Sequence, residues 1–78
     1  MPNLQYYVLS DDNIDTLVDI TGRTKEALRN LLTDAKAYGH YVVLWKEFGT
    51  WFAIRIDALF IKDGELDVVM QEILRRPH

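Results

Sequence analysis

Cysteine is absent from these 78 residues, which excludes a disulfide framework, a thiolate nucleophile and a thiolate zinc site. A chain of this size buries only about 60% of the surface that its unfolded form exposes. Stability must therefore come from one uncrosslinked core, and a reducing, intracellular setting fits. Histidine is nearly absent as well, His40 and His78 being the only imidazoles. His40 is expected at a helix C-terminal end, where the helix dipole favours it, and His78 lies at a terminus, so the titratable groups that catalysis needs do not converge. There is no glycine-rich phosphate cradle and no metal-ligand spacing, and the adjacent Asp11 and Asp12 are accounted for as helix caps. No enzyme, cofactor or metal is expected. Apolar runs fall far short of the ~20 residues that span a bilayer, and the first residues lack the basic-then-apolar pattern of a secretory leader. The expectation is a soluble, cytoplasmic protein without membrane contact. Repeats, linkers and low-complexity tracts are also missing, which leaves a single domain over residues 1–78.

Positive charge is scarce, the chain carrying a net charge of −3, but it is unevenly placed. Residues 1 to 21 hold Asp11, Asp12, Asp15 and Asp19 and no base. Residues 22 to 46 hold Arg23, Lys25, Arg29, Lys36 and Lys46 against Glu26 and Asp34, and form the only net-positive third. Neutralising phosphates supplies most of the nonspecific affinity of a nucleic-acid binder, so this third is the one to set against DNA.

What is present is periodic. Leu4 to Leu9 is β-branched and aromatic and predicts a short strand. Ser10, Asp11 and Asp12 offer N-cap oxygens to a first helix whose buried face is Ile14, Leu17 and Val18. Gly22 suits the left-handed exit of that helix, and Thr24 can cap a second helix beginning at Lys25 and closed by Gly39. Leu28, Leu31, Leu32 and Ala35 recur at i, i+3, i+4 and i+7 and bury one face of it. The free face carries Lys25, Arg29, Asn30, Thr33 and Lys36, residue types that bond phosphate oxygens or base edges in a major groove. Two helices about a glycine turn form a helix-turn-helix. Tyr41 to Trp45 and Trp51 to Ile56 then predict a β-hairpin around residues 46 to 50; most of its aromatics are expected in the core, and an exposed one at the tip would be informative. Asp57 can cap a short helix over Ala58 to Ile61, broken by Lys62-Asp63-Gly64. Residues 65–76 form an amphipathic helix with Leu66, Val69, Met70, Ile73 and Leu74 on one stripe, acids first and arginines last, stopped by Pro77. Its stripe either completes the core or pairs with the same helix of a second copy.

The segments Leu17-Val18-Asp19-Ile20-Thr21-Gly22-Arg23-Thr24, Ala27-Leu28-Arg29-Asn30-Leu31-Leu32 and Trp51 to Leu59, in this order, resemble the MerR-like winged helix of phage excisionases, including Cox-type proteins that combine excision with repression. The resemblance covers roughly residues 4 to 62. It implies an α+β fold, a small winged helix-turn-helix with an antiparallel hairpin wing and a C-terminal amphipathic helix. It further implies a protein that bends duplex DNA, binds repeated sites cooperatively through self-association or as a homodimer, assists an integrase, and represses a promoter. Arg29 and Asn30 are then expected to read bases, Arg23, Thr24, Lys25 and Lys36 to contact phosphates beside Thr33, and Lys46 and Thr50 to act at the wing. The alternative is a winged-helix adaptor or antirepressor that binds a protein and not DNA, motivated by the net acidity and the aromatic hairpin.

Overall fold

In the computed structural model, which describes residues 5–61 and 65–75, strand β1 (Tyr6–Val8) leads through a turn into α1 (Ile14–Thr21) and α2 (Lys25–Tyr38). Strands β2 (His40–Glu47) and β3 (Thr50–Asp57) follow, then a 3₁₀ turn (Ala58–Phe60) and α3 (Leu66–Arg75). The domain is a small α+β unit with three α-helices on one three-stranded antiparallel sheet, ordered β1-β2-β3. The central strand explains the layering. Val42, Val43, Leu44 and Trp45 are buried in succession, and four consecutive buried strand residues require cover on both faces of the sheet, since side chains alternate. Val42 and Leu44 join Leu9, Ile14, Leu17, Leu28, Leu32 and Ala35 beneath α1 and α2. Val43 and Trp45 join Met70 of α3, with Tyr6, Val8, Ile54, Ile56 and Leu66 packed around them. The C-terminal helix thus completes the core, and Tyr6 of β1 also donates its hydroxyl to Asp67 of α3. That bond, aided by burial and by the Asp67 charge, pushes the Tyr6 phenol up to about 12.

The first helix starts differently from expectation. Asn13, and not Ser10, Asp11 or Asp12, organises the turn: its side-chain oxygen accepts from the Ser10 amide at 2.8 Å while its amide donates to the Val8 carbonyl at 2.7 Å. An amide can accept and donate at once, which ties the turn to β1; a carboxylate can only accept. The exit is as expected, with Gly22 left-handed at φ 74° and its amide bonded to the Val18 carbonyl. Thr24 caps α2 by accepting from the Ala27 amide at 3.1 Å, and Gly39 ends it at φ 68°. His40 opens β2 instead of ending the helix. The expected residues Leu4, Lys62-Asp63-Gly64, Arg76 and Pro77 lie outside the described residues.

The hairpin is tighter than the five-residue connection expected from 46 to 50. Its ladder runs from His40↔Asp57 to Glu47↔Thr50, leaving only Phe48 and Gly49 as the turn, both at positive φ, 53° and 78°. Two-residue hairpins take this left-handed form because its twist matches that of the strands, and Asn-Gly is the favoured pair. A phenylalanine at the first position is strained. Phe48→Asn is expected to stabilise the fold by about 1 kcal/mol, or about 4–8 °C in Tm for a domain of this size, measured by thermal unfolding.

Candidate nucleic-acid interface

Helix α2 holds its outer side chains firmly because Leu28, Leu32 and Ala35 are buried beneath it. Lys25, Arg29 and Lys36 fall at i, i+4 and i+11, one stripe on the flank facing α1, while Asn30 and Thr33 lie nearer the crest. All five are exposed. Arg29, Asn30 and Thr33 make no side-chain hydrogen bond or ion pair among the described residues, so their donors and acceptors point to solvent.

The two lysines are engaged. Lys25 Nζ sits 3.0 Å from Asp15 of α1 and Lys36 Nζ 2.6 Å from Asp11 in the turn before it, so the two acids lie alongside the basic stripe of α2. The Lys36 hydrogen bond and charge, with a lesser pull from Arg29, hold the Asp11 carboxyl below the usual carboxylate range. The lysine side chains remain 51% and 57% exposed, and solvent screening leaves such exposed pairs with little energy. Transferring either ammonium from its carboxylate to a phosphate therefore costs little; what opposes it is the carboxylate left behind.

Arg23 is also engaged within the fold. Its guanidinium donates to the Trp51 carbonyl at 3.2 Å and the residue is half-buried, which braces the α1–α2 turn against β3. Thr24 has its acceptor committed to the Ala27 amide, though a hydroxyl keeps a proton to donate. Lys46 and Thr50 are exposed next to the hairpin turn. Because Arg23 reaches Trp51, the hairpin tip and the start of α2 lie at the same end of the domain, so Lys25, Lys46 and Thr50 share that end.

Two features were not legible as site residues. Phe48 at the hairpin apex is 91% exposed, and the expectation that most of the hairpin aromatics enter the core is not met: Trp45 is buried and Trp51 half-buried, while Tyr41, Phe48 and Phe52 are exposed. At the opposite end Arg55 donates from Nε to His40 Nδ1 at 3.2 Å and lies 5.2 Å from the ring centre of Tyr38. The hydrogen bond joins residues 15 apart, from the first residue of β2 to the edge strand β3, and only the β2–β3 register could have indicated it. Among the described residues no helix is long and apolar enough to cross a membrane. Comparison with protein-family models, with curated proteins and with solved structures returns no match.

Proposed function

We propose that the domain is a winged helix-turn-helix that binds duplex DNA, with α2 in the major groove and the β2–β3 hairpin as the wing. The observation that carries this reading is the row Arg29, Asn30 and Thr33: exposed, without a side-chain hydrogen bond or close ion pair among the described residues, and mounted on a helix clamped from below. Arg suits the O6/N7 edge of guanine and Asn the N6/N7 edge of adenine. Lys25, Lys36 and Thr24 supply phosphate contacts, with Lys46 and Thr50 on the wing, and Arg23 acts by fixing the turn. Within this reading the protein is of the excisionase or repressor class of a phage or mobile element, cooperating with an integrase and with further copies of itself on DNA.

Duplexes enriched from a randomised pool supply a site for testing. Arg29→Ala is expected to lose about 1–3 kcal/mol at the enriched site while sparing unrelated DNA, and Lys25→Ala to weaken all duplexes and flatten the salt dependence, by less than a full phosphate contact because Asp15 balances part of the Lys25 charge. Unchanged affinities in mobility-shift titrations of both variants would refute the placement. A protein adaptor is the second reading, favoured by the Lys25–Asp15 and Lys36–Asp11 pairs and by the net charge of −3. It takes over if no duplex shifts even at low ionic strength.

A further inference from the structure

Phe48 occupies the one place in the hairpin where its side chain does least for the fold. The residue sits at φ 53°, a conformation in which a bulky side chain is strained, and its ring is 91% exposed, so packing within the chain does not offset that strain. The base beneath it is rigid. Glu47 and Thr50 pair directly below the turn, Trp45 is anchored in the core and stacks on Phe52 at 5.6 Å between ring centres, and Trp45 Nε1 donates to Glu47 at 3.2 Å. A cleft of about 160 Å³ lined by Trp45, Glu47, Phe48 and Phe52 lies beside the apex, leaving the Phe48 ring free to enter a partner.

We propose that Phe48 is a wedge that inserts between adjacent base pairs of duplex DNA and unstacks that step, an inference that rests on the DNA-binding reading above. The chemistry of the tip selects this occupant. Lys46 stands exposed two residues behind the ring and Thr50 exposed two residues after it, while the Glu47 side chain is drawn to the Trp45 indole. An aromatic face followed closely by an ammonium matches a base step, whose stacking surface is flanked by phosphates. The tip also shares the Arg23 and Lys25 end of the domain, so a duplex lying along the start of α2 passes the apex. Pyrimidine–purine steps, the easiest to unstack, are the favoured targets.

The test uses the full chain and duplexes that it enriches from a randomised pool, with 2-aminopurine placed at successive positions and thymines probed by permanganate. Wild type is expected to raise 2-aminopurine fluorescence and permanganate reactivity at one step. Phe48→Trp should retain both signals. Phe48→Ala and Phe48→Asn should lose both while still shifting the duplex with several-fold weaker affinity; the asparagine variant suits the turn, so its loss of signal cannot be put down to misfolding. If Phe48→Asn binds and unstacks like wild type, the wedge is overturned and the DNA reading stands. If wild type enriches no duplex at low salt, both fall together. Should Phe48→Asn leave DNA binding and unstacking intact but abolish self-association in sedimentation, the ring is a protein anchor and the wedge is likewise overturned.

Discussion

The double variant Asp11→Asn, Asp15→Asn is expected to bind duplex DNA on the order of tenfold more tightly or better than wild type in 0.1 M salt, with a steeper salt dependence. Each carboxylate now holds one lysine of α2 at ion-pair distance, so a phosphate approaching Lys25 or Lys36 meets a cation already balanced. Freeing both ammonium groups adds up to two counterion-releasing contacts, each worth about −0.9 in the log–log salt slope. The fold should hardly change, because both pairs are exposed and screened by solvent, and because Asn13 rather than either aspartate organises the start of α1. Titrations across a salt series, with thermal unfolding as control, measure both quantities. An unchanged slope would show that α2 does not lie on the phosphates, and would favour the adaptor reading. On the DNA-binding reading the wild-type pairs would act as a filter: by muting lysine contacts that any duplex can make, they would leave a larger share of the affinity to Arg29 and Asn30, the proposed base readers.

Leu28→Ala is expected to cost about 2–5 kcal/mol of stability, a large part of what a domain of this size possesses at ~0.05–0.15 kcal/mol per residue. Leu28 is fully buried among Leu17 of α1, Leu32 of its own helix and the β2 residues Val42 and Leu44, so its removal leaves a void that three elements cannot all move to fill. Chemical denaturation should show a lower midpoint, and DNA affinity at temperatures where the variant remains folded should stay near wild type because Leu28 has no exposed surface. Half-buried Leu31 provides the contrast, with a smaller loss on the same substitution. A cost for Leu28→Ala below about 1 kcal/mol would mean that α2 is not clamped to the sheet, and the rigidity assumed for Arg29 and Asn30 would go with it.

Local chemistry was readable without coordinates wherever neighbours in sequence decide it. Thr24 as N-cap, Gly22 and Gly39 as left-handed exits, and the buried stripe Leu28, Leu32 and Ala35 all follow from bonds or spacings within four residues. The run Val42 to Trp45 also held a message that alternation rules miss: unbroken apolarity in a strand signals cover on both faces, and with it a core position for α3. Polar Lys46, Glu47 and Thr50 suggest a longer turn than the hairpin has, because polarity alone does not separate a turn from the exposed end of a strand; only the ladder to Glu47↔Thr50 does.

Composition and periodicity alone determine one small α+β core, two helices about a glycine turn, a hairpin, and a helix face lined with DNA-compatible groups. Tertiary packing decides which of those groups are free: it sets Asp15 against Lys25, Asp11 against Lys36 and the Arg23 guanidinium against the Trp51 carbonyl, and it leaves the Phe48 ring in solvent. The reason is physical. Capping, helix periodicity and strand alternation act over a few residues, whereas the charge that a side chain presents to a partner depends on residues 10 to 28 positions away, brought near only when the core closes.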